Sequence, residues 1–155
     1  MENNAFVRPA RTGIASDHAG YWLKTFIIEK LKEWNCEYTD YGTDSENSVD
    51  YPDFGHRLGK AIENGECETG IAICYSGNGI GIVLNRHRGV RAALCWNKDV
   101  AILAKQHNDA NVCVLPAHFV ANEEAGEIVS VFFSTPFEGG RHIRRIEKIN
   151  SGLQR

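Results

Sequence analysis

The fold of this chain is decided by the stretch Gly70-Ile71-Ala72-Ile73-Cys74-Tyr75-Ser76-Gly77-Asn78-Gly79-Ile80-Gly81. Its first part is an apolar run typical of a buried strand, and the rest is a glycine-rich turn leading into a helix. Glycine adopts backbone angles that a Cβ forbids, so several N–H groups of such a turn can point at one place and bind an anion. The thiol of Cys74 stands where the strand ends, which makes this junction a candidate reaction centre.

Length and composition indicate one globular domain without nucleic-acid or membrane partners. The chain has 155 residues, of which 24% are charged, and its formal net charge is −3. A nucleic-acid-binding surface is usually basic, and no apolar run approaches the roughly 20 residues of a membrane helix. The N-terminus lacks the apolar centre of a signal peptide. Scattered cysteines without a C-x-x-C pair favour reduced thiols in a cytoplasmic protein: Cys36, Cys67, Cys74, Cys95 and Cys113.

Strand-like and helix-like segments alternate after a leader of residues 1–11. This alternation predicts an α/β fold, a three-layer Rossmann-like sandwich with a five-stranded parallel sheet, as a single domain over residues 12–155. The predicted strands are Thr12–Ser16, Cys36–Tyr41, Gly70–Cys74, Val90–Cys95 and Asn111–Leu115. The predicted helices cover residues 21–34, 52–64, 78–86, 97–105 and 122–133, with a last helix from about residue 140. Helical spacing predicts one apolar stripe on the first helix, made of Trp22, Leu23, Phe26, Ile27, Leu31 and Trp34.

Polar residues follow several of these strands, where ligands of such folds bind. Asp17-His18 follows the first strand, Cys74 ends the third, and Asn97 follows the fourth. Parallel strands end at the same edge of a sheet, so we expect these residues at one edge. Asp17 and His18 are interpreted either as a helix cap or as substrate contacts. Cys74 is either a small core residue or a thiolate base, which the nearby helix N-terminus favours.

Two further groups lie outside that edge. His107-Asn108-Asp109 joins a helix to a strand, and so falls at the opposite edge of its own chain. It is either a helix C-terminus or a catalytic group serving the site of a neighbouring subunit. Arg141 and Arg145 are four residues apart just after Gly139-Gly140, so both guanidinium groups share a helix face and suit a phosphate. The histidines and cysteines lack metal-ligand spacing, and we expect no metal.

These motifs together resemble the ribose-5-phosphate isomerase B family, which also holds galactose-6-phosphate and allose-6-phosphate isomerases. The resemblance extends from about residue 12 to residue 150, nearly the whole chain. The matching stretches are Ser16-Asp17-His18-Ala19-Gly20, Asp50-Tyr51-Pro52, Cys74 through Gly81, Gly89-Val90-Arg91-Ala92, His107-Asn108-Asp109 and Glu138-Gly139-Gly140-Arg141-His142.

The resemblance implies interconversion of ribose 5-phosphate and ribulose 5-phosphate without metal or cofactor, by a homodimer or tetramer with shared sites and a dimer-associated last helix. Cys74 would move a proton between C2 and C1 through an enediolate, assisted by Ser76, and His107 would open the sugar ring. The implied oxyanion donors are the N–H groups of Gly77, Asn78, Gly79, Ile80 and Gly81. The implied sugar and phosphate contacts are Asp17, His18, Tyr51, Asn108, Arg141, His142 and Arg145.

The chain departs from the family pattern at three positions. Tyr75 follows the cysteine where the family usually has Gly, and it would be strained if its φ were positive. Ile80 stands where some members carry a catalytic Glu, which leaves Cys74 as the base. His118 replaces a frequent Arg near the phosphate. A six-carbon sugar-phosphate isomerase and a non-catalytic nucleotide-binding module remain alternatives, although the spacing G-x-G-x-G differs from the dinucleotide pattern G-x-G-x-x-G.

Overall fold

A five-stranded, all-parallel sheet forms the centre of the molecule, as the sequence predicts. The computed structural model of the chain describes residues 6–152. The strands lie in the order β2-β1-β3-β5-β4 and are β1 (Thr12–Ser16), β2 (Tyr38–Asp40), β3 (Thr69–Cys74), β4 (Ala92–Leu94) and β5 (Val112–Pro116). The central strands are buried on both faces and read as continuous apolar runs.

Helices cover both faces of this sheet and produce the predicted three layers. They are α1 (Tyr21–Glu33), α2 (Tyr51–Glu63), α3 (Asn78–Leu84), α4 (Lys98–Asn108), α5 (Asn122–Ser134) and α6 (Arg141–Ser151). Neighbouring residues of β3 point to opposite faces. Ile71 and Ile73 pack with α1, α4 and α5, whereas Ala72 and Cys74 pack with α2 and α3.

Sequence and structure differ mainly at the edges of the sheet. β2 and β4 are shorter than the predicted runs 36–41 and 90–95, because an edge strand has a hydrogen-bonding neighbour on one side only. The prediction that Trp22 belongs to the buried stripe is wrong, since its side chain is 62% exposed. The buried face of α1 instead follows Leu23, Ile27 and Leu31 at intervals of four residues.

Within the described residues, the first and last segments lie beside this core. Residues 1–5 of the predicted leader and residues 153–155 lie outside the described residues. Phe6 packs on the aromatic rings of Trp34 and Phe133, with centroids 5.1 and 6.4 Å away. At the other end, α6 buries His142 while Ile143 and Ile149 are about half exposed. No helix within residues 6–152 combines the length and apolar character needed to cross a membrane.

Candidate active site

Two of the residues predicted to bind the ligand, Asp17 and Cys74, lie at the point where the strand order changes direction. β2 lies on one side of β1, whereas β3 and the later strands lie on its other side. The crevice between the ends of β1 and β3 is therefore the topological switch point, where α/β folds bind ligands. Asp17 follows β1 there and Cys74 ends β3.

Asp17 and His18 form a tight turn at this point, and both have polar partners. The Asp17 Oδ1 accepts a hydrogen bond from the Gly20 N–H at 3.1 Å, so the predicted cap is present. Burial raises the pKa of Asp17, and the hydrogen bond from Gly20 opposes that rise. Nδ1 of His18 lies 3.1 Å from the backbone nitrogen of Val49 and 3.2 Å from its carbonyl oxygen, so the Val49 backbone holds the imidazole ring through this nitrogen.

A close backbone contact ties this turn to the strand that carries the cysteine. A Cβ added to Gly20 would lie 2.8 Å from the Ile73 carbonyl oxygen and 3.0 Å from its carbonyl carbon. Only a glycine allows this approach, because the backbone of a central strand cannot move aside. Gly20 therefore sets how near Asp17 and His18 lie to Cys74.

Cys74 itself is almost completely covered within one chain. It is 4% exposed and packs in the apolar cluster formed with Ala15, Phe54 and Ile80. Gly77 turns the chain away from the strand with a φ of 77°, as the glycine-rich turn requires. These observations do not distinguish the two sequence interpretations of Cys74, a small core residue and a thiolate base.

The glycine loop offers fewer free N–H groups than the sequence predicts. The Gly81 N–H bonds the Gly77 carbonyl inside α3, and the Asn78 N–H donates to Ser76 Oγ at 3.3 Å. The N–H groups of Gly79 and Ile80 lie in the first turn of α3, where no carbonyl of residues 6–152 accepts them. The predicted oxyanion role of Gly81 is therefore wrong, since its proton is already engaged. Gly79 also packs against the ring of Tyr51, and a Cβ added to Gly79 would lie 2.7 Å from that ring.

The two unusual aromatic positions stack on each other beside this loop. The rings of Tyr75 and His118 lie 4.4 Å apart and nearly parallel, at 15°. Positive φ among the non-glycine residues 6–152 occurs only at Asn35 and Asp109, so Tyr75 is not strained by replacing glycine. His118 thus pairs with an aromatic neighbour where the family pattern often has an arginine.

His107 and Asn108 lie at the other edge of the sheet, at the end of α4. Arg91 supports this helix end, because its guanidinium donates hydrogen bonds of 2.7–3.1 Å to the backbone carbonyls of Asn108 and Asp109. Asp109 ends the helix in the left-handed conformation, with a φ of 43°. No sequence motif predicts this supporting role of Arg91, because its partners lie about 17 residues further along the chain.

The start of α6 joins this second group. Gly139 and Gly140 both have positive φ, which explains the double glycine before the helix. Arg141 and Arg145 are exposed on the first turns, whereas His142 is 5% exposed and stacks on His107 with ring centroids 4.5 Å apart. Burial, followed by the positive charges around it, lowers the pKa of His142.

The predicted residues therefore form two half-sites at opposite edges of one sheet. Residue pairing places Gly70 opposite Val112 and Cys74 opposite Pro116. Cys74 lies four residues beyond the start of β5, about 13 Å along the strand at roughly 3.3 Å per residue. His107 and Asn108 precede β5, so they lie further away still. We call the group around Asp17, His18, Tyr51 and Cys74 the cysteine half-site. The group around His107, Asn108, Arg141, His142 and Arg145 is the histidine half-site.

Comparison with known proteins identifies the family. The model of the Ribose/Galactose Isomerase family matches residues 12–149. The chain is 40% identical to ribose-5-phosphate isomerase B of Escherichia coli over 90% of this chain and 93% of that one. It is 47% identical to the ribose 5-phosphate isomerase structure from Thermotoga maritima, which covers 92% of this chain and 98% of its own, with a TM-score of 0.90.

A second solved structure carries a ligand. Ribose-5-phosphate isomerase B from Mycoplasma genitalium, with bound ribulose-5-phosphate, is 38% identical, covers 96% of this chain and 99% of its own, and superimposes with a TM-score of 0.89. The fold, the order of the motifs and these similarities agree along the whole described domain. The chain is a sugar phosphate isomerase and belongs to the ribose/galactose isomerase family.

Proposed function

We propose that this protein interconverts ribose 5-phosphate and ribulose 5-phosphate through an enediolate, without a metal, at sites shared by two subunits. The observation that carries the proposal is the separation of the two half-sites. Each is built from ordered turns and helix ends, yet they lie at opposite edges of the sheet in one chain. A site that contains both needs a second copy of the chain, related by two-fold symmetry so that both sites are completed together.

The cysteine half-site would perform the proton transfer. A thiolate at Cys74 takes the proton from C2 of the open-chain sugar and returns it to C1. The negative charge that forms on the substrate oxygen meets the N–H groups of Gly79 and Ile80 at the start of α3. One such donor in a water-excluded site is worth about 3–4 kcal/mol of transition-state stabilisation. Ser76 supports the loop through its hydrogen bond with Asn78.

The partner's histidine half-site would prepare and hold the substrate. His107 acts as acid and base for ring opening, and Asn108 contacts the sugar together with Asp17 and Tyr51 from the first subunit. The phosphate is bound by His18, by Arg141 and Arg145, and by the nearby His142. Arginine forks match phosphate oxygens, and the N-terminus of α6 adds backbone donors.

The exposed apolar residues of α6 support the paired arrangement. Ile143 and Ile149 are 48% and 51% exposed on a helix that buries only His142 against its own chain. A helix with an uncovered apolar side is stabilised when another subunit covers it. We therefore assign α6 to the interface of the proposed dimer, next to the half-site that it helps to form.

Complementation between two inactive variants tests the proposal. Cys74→Ala and His107→Ala should each abolish isomerisation of ribose 5-phosphate. When equimolar amounts are unfolded together and refolded, about a quarter of wild-type activity should return, because half of the dimers are mixed and each holds one intact site.

A matched control uses two variants of the same half-site. Cys74→Ala mixed with Asp17→Ala leaves every site with a defect in its cysteine half, so the mixture should be no more active than the two variants measured separately. Near-normal turnover by Cys74→Ala alone would refute the assigned base. Absence of complementation between Cys74→Ala and His107→Ala, with both variants folded and dimeric, would refute the shared site. Turnover of allose and galactose phosphates above that of ribose 5-phosphate would overturn the assigned substrate.

A further inference from the structure

The histidine half-site contains three potential metal ligands. The ligand atoms of His107, Glu138 and His142 all lie within 4.8 Å of one another. Nε2 of His142 is buried, has no hydrogen-bond partner in the described part of the chain, and lies 3.7 Å from a carboxylate oxygen of Glu138. A buried nitrogen without a partner is unfavourable unless something else binds it, so this atom is the second observation that points to a ligand.

We propose that His107, Glu138 and His142 bind a divalent transition-metal ion, with Zn²⁺ as the best match, and that the bound ion switches the isomerase off. Two imidazole nitrogens and one carboxylate form a common zinc ligand set, which leaves a fourth position for water. Mg²⁺ and Ca²⁺ prefer oxygen ligands and should not bind here.

The geometry needs only a local adjustment to accept the ion. Ligand atoms of a tetrahedral zinc site lie about 3.4 Å apart, since each is roughly 2.1 Å from the metal. His142 and Glu138 are already 3.7 Å apart, and the backbone N–H of Glu138 donates to the Gln106 carbonyl at 3.1 Å. This bond holds Glu138 beside the helix end that carries His107. Zinc binding should open the stacked pair of imidazoles, because both nitrogens must then point at one ion.

Charge makes Glu138 the decisive ligand. Arg141 and Arg145 place positive charge near His142, and this charge disfavours the binding of a metal cation. Glu138 supplies the negative charge of the three ligands and is itself about half exposed, with 49% of its side chain accessible. Removing its charge should therefore weaken zinc binding without disturbing the two histidines.

The effect on activity rests on the proposed function. A His107 nitrogen bound to zinc has no free lone pair, so it cannot accept or deliver the proton needed for ring opening. The ion would also occupy the space in front of His142, beside the phosphate-binding arginines. Zinc should therefore inhibit reversibly, and a chelator should restore the reaction.

Calorimetric titration of the intact protein with Zn²⁺ tests the site directly. Wild type and the control Glu147→Gln, changed on α6 beyond His142, should bind Zn²⁺ equally. Glu138→Gln should bind roughly tenfold more weakly or worse. Titration with Mg²⁺ should give no binding heat in any variant. His56 and His87 are hydrogen-bonded to each other at 2.8 Å on another surface, and zinc bound there would persist in Glu138→Gln.

Isomerase assays with and without Zn²⁺ then test the consequence. Zinc should inhibit wild type and Glu147→Gln, EDTA should restore both, and Glu138→Gln should stay active at the same zinc concentration. Unchanged zinc binding by Glu138→Gln would overturn the site. Zinc bound by wild type without loss of turnover would overturn the inhibitory role. If ribose 5-phosphate proves not to be a substrate, the calorimetric comparison still decides the metal site separately.

Discussion

Replacing Gly20 by alanine should separate the two turns that build the cysteine half-site. The added methyl group would meet the Ile73 carbonyl oxygen at 2.8 Å, its carbonyl carbon at 3.0 Å and its Cγ2 atom at 2.8 Å. A side chain could rotate away from such a contact, but two of these atoms belong to the backbone of β3. The turn that carries Asp17 and His18 must therefore move away from the strand that ends at Cys74.

The size of the effect follows from the packing. Gly20 has a φ of −93°, which any residue adopts, so no backbone strain is added. Overpacking against fixed atoms should destabilise the fold by about 1–3 kcal/mol. The matched control is Gly126→Ala in α5, where the nearest atom would lie 3.6 Å away, at ordinary contact distance. There alanine should stabilise by roughly 0.5–1 kcal/mol through its higher helix propensity.

Urea unfolding of the three proteins measures the difference. We expect Gly126→Ala to exceed wild type in free energy of unfolding and Gly20→Ala to fall below it. Steady-state kinetics should show a raised KM for Gly20→Ala and normal kinetics for Gly126→Ala. A Gly20→Ala protein as stable and as active as wild type would show that the contact with Ile73 does not position the turn.

Three further predictions concern charge and metal. Burial raises the pKa of Asp17 above its usual 3.8, so its ionisation opposes folding and stability falls as the pH rises through that raised pKa. Asp17→Asn should therefore gain stability over wild type at neutral pH and lose that advantage in acid, as urea unfolding across pH would show. Asp40→Ala should cost about 3–5 kcal/mol, because Asp40 pairs with the buried ammonium of Lys24, whereas Glu68→Ala in an exposed pair should cost less than about 1 kcal/mol. Chemical denaturation of both variants measures these changes in the free energy of unfolding. Equal losses for Asp40→Ala and Glu68→Ala would contradict the prediction. Isomerase activity on ribose 5-phosphate should survive EDTA, and a loss that added metal reverses would contradict a metal-independent reaction.

The central part of the fold could be predicted because its signals are local. β1 occupies the predicted residues 12–16, and β3 differs by one residue at its start, since both are apolar runs bounded by turns. The ends of the edge strands β2 and β4 were harder to predict, because each depends on how far the one strand that it pairs with extends. Trp22 shows the same limit, since helical spacing places it near the apolar stripe but not on the side that faces the sheet.

The position of a residue in the fold could be predicted where it depends on strand direction, but its contacts with distant segments could not. Asp17 and Cys74 meet at one edge because all strands are parallel. The engagement of the Gly81 N–H within α3 was missed, since the exact start of a helix decides which N–H groups stay free. The closeness of Glu138 to His107 could not be predicted, because the two residues are 31 positions apart in the chain and follow no fixed ligand spacing.

The amino-acid sequence by itself determined the alternation of strands and helices, and with it a parallel sheet at one edge of which Asp17 and Cys74 both lie. Periodicity and turn residues act over a few positions, so they are readable without coordinates. Only the tertiary structure decided that Gly20 touches Ile73, that Tyr75 stacks on His118 and that His107 stacks on His142. These contacts join segments far apart in the chain, and side-chain packing between whole elements, which no local pattern encodes, brings them together.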